Sequence, residues 1–284
     1  MLEATGAFWI LVGFCFVISL ILCSIGFKKF VYFLSVGYGL AVLGIGVFLI
    51  VCSIGKFDLF NIDGAGFTNY ILGALLILYG CRLAGFLLYR EIKSLSYRKT
   101  LASATSKQEK GMPVFVKVII WLSVGVLYVM QTYPVILRVG GSYTSNSIGM
   151  IAPLVGAGIA LIGLLMETIA DLQKSAAKKV SNTFVSTGLY KYVRCPNYLG
   201  EIIFWTGIFV SGIDIYGYSW ASWLISILGY ILIVYVMVSG AKRLEKRQNK
   251  NYGNDPKYQE YVKKTPILMH LIPLKSLQNI NWIK

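Results

Sequence analysis

Acidic residues are scarce in this chain of 284 residues, with twelve Asp and Glu against 27 Lys and Arg, and there is a single histidine, His270. One histidine argues against a His-rich zinc or di-iron centre, because catalytic metal sites converge several His, Cys or carboxylate ligands; no metal site is expected. The five cysteines, Cys15, Cys23, Cys52, Cys81 and Cys195, show no CxxC spacing, and four lie in apolar runs where a free thiol behaves as a small hydrophobe. No disulfide framework is indicated. Charged residues of both signs make up only 14% of the chain, against about a quarter in soluble domains. That leaves too little polar surface to coat a core, which argues against a water-soluble protein. There is no Walker-type loop and no Gly-x-Gly-x-x-Gly after a strand, so a soluble-type nucleotide fold is absent. Repeats with a period of about 20–50 residues are also lacking. The polar stretch Ser103–Lys110 is expected to be a flexible loop.

What is present is apolar: 56% of residues are hydrophobic and the mean hydropathy is +0.67. A membrane-crossing helix needs about 20 apolar residues, and such runs fall near 7–26, 30–54, 66–90, 113–139 and 148–172, then a shorter 198–213 and a last run 216–240. The pattern predicts an all-α polytopic membrane bundle of about seven transmembrane helices. The first run begins Met-Leu-Glu, without a basic leader or a clear cleavage site, and is expected to be a retained helix. Alternating the loops places 23 of the 27 positive charges on one side, from Lys28 and Lys29, the 90–110 segment, the 174–194 segment and the ten Lys and Arg from Lys242 onward. Lys56 and Arg138 fall on the other side. The positive-inside rule then orients the N-terminus out and the C-terminus to the cytoplasm. Juxtamembrane placement accounts for the net charge of +15 without nucleic acid, for which no binding module is recognisable.

Ionisable groups inside membrane segments are costly and mark functional sites, which singles out Arg82, Glu167, Asp171 and Glu201. Glu167 and Asp171 are four apart and share one helical face, continued by Lys174 and Lys178. This stripe is either an interfacial helix end that snorkels into headgroups or a binding surface for a polar ligand. The densest stretch runs from Ser186 to Glu201, where Pro196 sets a helix first turn and Asn197 brings donors and acceptors. With Lys191 and Arg194 just before a helix N-terminus, it suits an anionic, phosphate-bearing cofactor. Tyr190, Tyr192 and Tyr198 fit either that site or an aromatic belt. Arg243 and Arg247, four apart, would form a phosphate-matching fork on one helical face, in a basic tail that equally serves as a topology signal.

The string Gly188-Leu-Tyr-Lys-Tyr-Val-Arg-Cys-Pro-Asn-Tyr-Leu-Gly-Glu-Ile-Ile-Phe-Trp-Thr-Gly207 carries a resemblance, preceded by Glu167-x-x-x-Asp171 and followed by Leu244-Glu-Lys-Arg and by Tyr258-Gln-Glu-Tyr-Val-Lys-Lys-Thr265. These blocks, in this order over about the last 120 residues, resemble the steroid 5-alpha-reductase family and its bacterial relatives. The Arg194-x-Pro-x-Tyr198 core is also similar to the membrane isoprenylcysteine methyltransferases. The reductase resemblance implies a seven-helix membrane enzyme that binds NADPH from the cytosolic side and reduces a carbon–carbon double bond conjugated to a ketone. It implies that Asp171, Asn197, Tyr198 and Glu201 contact the cofactor's nicotinamide-ribose or phosphate portion. Arg194, Arg243 and Arg247 would hold phosphates, and Glu167, Lys178 and Tyr261 complete the expected cofactor set. Tyr79 and Arg82 form a Tyr-x-x-Arg on the third helix that resembles the place where the reductases carry a ketone-polarising tyrosine; they are the expected catalytic pair.

Two departures stand out. Cys195 stands where the bacterial relatives usually carry histidine, and residues 30–54 contain no Asp, Glu or Gln to match the family's ketone-holding Gln-Glu pair. Asp58, Asp63 and Gln131 are candidate replacements. The expectation is a single integral membrane domain, with residues 1–147 on the substrate side and 148–284 binding cofactor. The substrate would be a hydrophobic enone, such as a 3-oxo-4-ene steroid, entering from the bilayer. The alternatives are an S-adenosylmethionine-dependent methyltransferase of a lipid or prenyl-thiol and a non-enzymatic lipid-binding membrane protein. The expected location is a bacterial inner membrane, or the endoplasmic reticulum in a eukaryote.

Overall fold

The computed structural model describes residues 6–54, 66–140, 147–180, 183–217, 219–268, 275–278 and 280. Lys56, Asp58, Asp63 and His270 lie outside them. Among the described residues the chain is all helix, with no strand. The helices are α1 (Gly6–Cys23), α2 (Val36–Ile54), α3 (Phe67–Lys93), α4 (Leu95–Glu109), α5 (Val114–Gly140), α6 (Ile151–Val180), α7 (Pro196–Val210), α8 (Ile213–Tyr216), α9 (Trp220–Tyr252) and α10 (Pro256–Lys264), with 3-10 turns at Ser24–Phe27, Phe30–Leu34, Ser147–Met150 and Gly188–Lys191.

Six of these helices, α1, α2, α3, α5, α6 and α9, are long and apolar enough to cross a membrane. The protein is a polytopic, all-helical membrane protein. The seventh expected run forms α7, whose 15 residues rise about 22 Å, short of the roughly 30 Å hydrocarbon core. The chain turns at Ser211–Gly212, where the Gly212 amide bonds back to the Phe209 carbonyl, and α8 follows as a single turn. Conversely, α9 continues past its apolar run through the basic segment to Tyr252. The stretch Ser103–Lys110, expected as a loop, is helical almost to its end as the second half of α4. Its anchor is a four-residue spacing of Tyr97, Leu101 and Thr105, of which Leu101 and Thr105 are buried; Leu101 joins Tyr32, Val36 and Ala84 in one cluster.

The chain divides into two compact units, Met1–Ala157 with Ile208–Gly229, and Gly158–Gly207 with Tyr230–Lys284. In the first unit α2 and α3 make the closest pairing. Lipid tails are as apolar as leucine, so helices in a membrane gain association from close van der Waals contact, which small residues permit. Gly39 and Gly46 on α2 meet Gly80 and Gly73 on α3, each pair seven residues apart. A Cβ on Gly80 would stand 2.4 Å from the Gly39 carbonyl oxygen and 2.7 Å from the Leu43 nitrogen, and one on Gly46 would stand 3.1 Å from the Gly73 carbonyl oxygen.

Several buried polar groups in this unit find internal partners, which lowers the cost of a dry environment. The Tyr79 hydroxyl donates to that of Tyr38 at 3.0 Å, and the Tyr38 ring stacks on Tyr128 at 5.0 Å. Tyr128 in turn donates to the Phe33 carbonyl. Arg138, expected among the loop charges, is instead buried in the last turn of α5, paired with Asp214 and donating to the Ser211 carbonyl at 2.8 Å.

The α2–α3 contact makes a direct prediction. Gly80→Ala should lower thermal stability by about 1–3 kcal/mol through overpacking. Gly85→Ala, on the same helix, is the control, since its Cβ would meet nothing within 4 Å. Equal melting temperatures for the two variants in detergent would refute the contact.

Candidate functional site

The acidic residues singled out in the sequence gather in the second unit, and the glycine crossing of α6 and α7 positions them. A Cβ on Gly163 would stand 2.3 Å from the Phe204 nitrogen and 2.5 Å from the Gly200 carbonyl oxygen. One on Gly200 would stand 2.7 Å from the Glu167 nitrogen. The two backbones therefore touch at the turn that carries Glu167, beside Gly200 and its neighbour Glu201. Both carboxylates are buried, at 3% and 5% exposure, and Asp171 follows one turn along α6 at 9%. Beyond Asp171, the Gln173 side chain accepts from the Leu189 amide at 2.9 Å, and the Tyr190 hydroxyl donates to the Ala170 carbonyl at 3.2 Å. Burial first, and then the charge of Asp171, hold the Tyr190 phenol well above its ordinary range, so it stays protonated.

Pro196 opens α7, as its fixed φ and missing N–H favour. The preceding residues bind a returning segment, the Arg194 and Cys195 amides donating to the Pro266 and Ile267 carbonyls at 2.9 and 3.0 Å. The Arg194 side chain is 1% exposed. Its guanidinium pairs with Glu245 at 2.9 Å, donates through Nε to the Thr265 carbonyl at 3.2 Å, and donates also to the Lys275 carbonyl. The other Glu245 oxygen accepts from the Leu277 amide at 2.9 Å, and Lys242 donates to the Ile280 carbonyl at 2.9 Å. Arg194, expected at a phosphate, thus has three internal partners and ties the last described residues to α9. An apolar cluster of Cys195, Ala241, Leu244, Ile267, Leu268 and Leu277 closes over the same region.

Arg243 and Arg247 share the exposed face of α9, opposite buried Ala241, Leu244 and Glu245. The Tyr198 ring lies against Gly240, where a Cβ would stand 3.1 Å from its edge. Burial first, and then Cys195, raise the Tyr198 phenol above its ordinary range, with Arg243 and Arg247 opposing and Glu201 adding to the rise. Next to Tyr198, the Oδ1 of Asn197 is buried and accepts no hydrogen bond among the described residues. Lys178 is exposed and donates to the Thr183 carbonyl at 2.6 Å and to the Tyr252 hydroxyl at 2.9 Å. Tyr261 donates to the Tyr190 carbonyl at 2.6 Å and stacks on Phe184 at 5.5 Å.

Ten of the twelve residues expected at the site therefore belong to one unit: Glu167, Asp171, Lys178, Arg194, Asn197, Tyr198, Glu201, Arg243, Arg247 and Tyr261. The other two, Tyr79 and Arg82, sit on α3 in the first unit. Tyr79 is fully buried, and the Arg82 guanidinium stands 5.5 Å from the Phe86 ring, one turn along. Sequence reasoning passed over Glu245 and Tyr38. The signal for Glu245 was its place as the lone acid of Lys242–Arg247, three residues from Lys242 and bracketed by basic neighbours.

Helices of this length and hydropathy, with buried carboxylates and arginine gathered in one unit, define an integral multi-pass membrane protein with an internal polar site. Within that class the chain belongs to the DUF1295 family, described as a protein of unknown function, which it matches over residues 41–265. It is 30% identical over 118 residues to a protein of Schizosaccharomyces pombe described as uncharacterised, a match that covers 41% of this chain and 40% of that protein. No solved structure matches it significantly.

Two outcomes follow for the Arg194 region. Glu245→Ala leaves a buried guanidinium without its counter-charge and should cost about 3–5 kcal/mol, read as a fall in the thermal midpoint of the purified protein. Burial also pushes the Cys195 thiol up to about 12. At neutral pH its alkylation in the folded protein should run about a thousandfold slower than that of an ordinary thiol, because the thiolate is the nucleophile. Rapid labelling of Cys195 by a maleimide would contradict this packing.

Proposed function

We propose that the protein is an NADPH-dependent reductase of a carbon–carbon double bond in a hydrophobic enone, of the steroid 5-alpha-reductase kind. The observation that carries this reading is the second unit's donor set. Two exposed arginines one turn apart on α9, buried carboxylates on α6 and α7, and an Asn197 carbonyl oxygen that accepts no hydrogen bond among the described residues belong to the same unit. That set suits a dinucleotide: guanidinium forks match phosphates, carboxylates accept from ribose hydroxyls, and an orphaned amide oxygen accepts from a carboxamide. The DUF1295 family is related to steroid 5-alpha-reductase-like enzymes, which agrees with this choice.

Arg243 and Arg247 bind the phosphates, Asp171 and Glu201 the ribose hydroxyls, and Asn197 with Tyr198 the nicotinamide end. Glu167, Lys178 and Tyr261 shape the same surface, and Arg194 holds the segment that closes over it. NADPH supplies a hydride when bound. The chain's own contribution to the chemistry is Tyr79. Its proton, directed at Tyr38 in this structure, is the donor for the substrate's carbonyl oxygen and stabilises the negative charge that grows there. A fully buried phenol gives that hydrogen bond without competition from water. Arg82 is the cation nearest in sequence and supports the same charge. The substrate is apolar and enters from the bilayer.

The test is a calorimetric titration of detergent-solubilised protein with NADPH and with S-adenosylmethionine, followed by NADPH oxidation against a panel of enones. NADPH should bind, and Asp171→Ala and Asn197→Ala should each abolish its retention. Unchanged NADPH affinity in both variants would overturn the cofactor assignment, and binding of S-adenosylmethionine alone would support a methyltransferase. Tyr79→Phe should lower kcat by about 10²–10³-fold, as expected for a lost oxyanion donor, with NADPH affinity unchanged.

A further inference from the structure

Away from the second unit's polar site, a crevice of about 410 Å³ opens in the first unit, lined by Tyr32, Leu88, Glu91, Ile92 and Arg98. Three elements form it: the turn Phe30–Leu34, the last turns of α3 and the first turn of α4. Its walls differ in chemistry. Leu88 and Ile92 are one turn apart on α3, a helix apolar and long enough to span a membrane, and are 37% and 71% exposed. Together they make an exposed aliphatic strip near the basic end of that helix.

The rest of the lining is polar, and its acid, Glu91, lies on the same face of α3 as Leu88 and Ile92. The Glu91 carboxylate accepts from the Lys29 ammonium through one oxygen and from the Tyr32 hydroxyl through the other, and Lys29 also donates to Tyr32 at 3.2 Å. This lining has one acid, Glu91, which is bonded to Lys29 and also feels the charge of Arg98, in a neighbourhood that holds Lys28, Arg90, Lys93 and Lys99 as well. Arg90 lies over the Tyr97 ring at 4.3 Å, whereas Arg98 is exposed at the mouth of the crevice. An exposed guanidinium with a net positive surround, next to an aliphatic wall at the end of a membrane helix, matches a ligand with a phosphate at one end and hydrocarbon at the other.

We propose that this crevice seats one anionic phospholipid, its phosphate on Arg98 and one acyl chain along Leu88 and Ile92. The lipid bridges α3, α4 and the Phe30–Leu34 turn, which the Glu91 bonds to Lys29 and Tyr32 and the cluster of Tyr32, Val36, Ala84 and Leu101 also join. A free phosphate would use the guanidinium but leave the aliphatic wall bare. A zwitterionic lipid would bring an ammonium group into a positive surround.

The experiment is native mass spectrometry of the purified full-length protein titrated with phosphatidylglycerol or with phosphatidylcholine of matched chains. Phosphatidylglycerol should form the tighter one-to-one adduct. Arg98→Gln should weaken it about fivefold, the effect of one juxtamembrane cation, and leave phosphatidylcholine adducts unchanged. Arg98→Lys, which keeps the charge, should retain most of the binding, and the thermal midpoint of both variants should match the wild type because Arg98 is exposed. Equal affinity for the two lipids, or an unchanged adduct in Arg98→Gln, would overturn the proposal. Displacement of phosphatidylglycerol by millimolar inorganic phosphate would also overturn it, since the site would then be one for a free anion.

Discussion

Where two helices lie in hydrocarbon, neither gains by leaving lipid for the other, and their association rests on how closely their backbones can approach. This chain meets that constraint with glycine. At Gly39 against Gly80, and again at Gly163 against Gly200, a single methyl group would collide with the main chain of the partner helix. Two sets of polar groups take their position from these contacts. The first sets α2 beside α3, and so Tyr38 within hydrogen-bond reach of Tyr79. The second sets Glu167 against Gly200, and so beside Glu201 on α7. Helices held farther apart would leave room for lipid or water between these groups.

The second organising device is charge buried in pairs. Arg138 with Asp214 and Arg194 with Glu245 each remove an arginine from solvent and give it carbonyl oxygens as further acceptors. Such pairs add little net stability compared with a well-packed apolar alternative, but losing one member is severe. Their value here is geometric. The Arg194 guanidinium reads the Thr265 and Lys275 carbonyls, and Glu245 reads the Leu277 amide, so the returning segment has one register against α9.

Much of this architecture was legible in the sequence, because its signals are local. Apolar runs located all six spanning helices, and the four-residue spacing of Arg243 and Arg247 correctly placed them on one face of α9. The same spacing put Glu167 and Asp171 together on α6, where both are buried. What stayed hidden is non-local. Arg138 and Asp214 are 76 residues apart and Arg194 and Glu245 are 51 apart, and no periodicity announces such partners. Arg138 therefore resembled a loop charge. The run near 198–213 looked like a span because hydropathy records composition, whereas the turn at Ser211–Gly212 that shortens α7 depends on tertiary context. In α4 the polar second half masked a helix whose buried contacts are few.

The length of α9 has a consequence of its own. Its 33 residues rise about 50 Å, while the hydrocarbon layer is about 30 Å thick, so a spanning α9 carries about 20 Å of helix beyond the apolar layer on one stem. Arg243 and Arg247 lie near the base of that extension, at the height of lipid headgroups and within about a Debye length of the membrane surface, roughly 8–10 Å. A soluble ligand that used these two guanidinium groups would therefore meet membrane phosphates as competitors. Its occupancy of the exposed face of α9 would then depend on the lipid composition of the leaflet as well as on its own concentration.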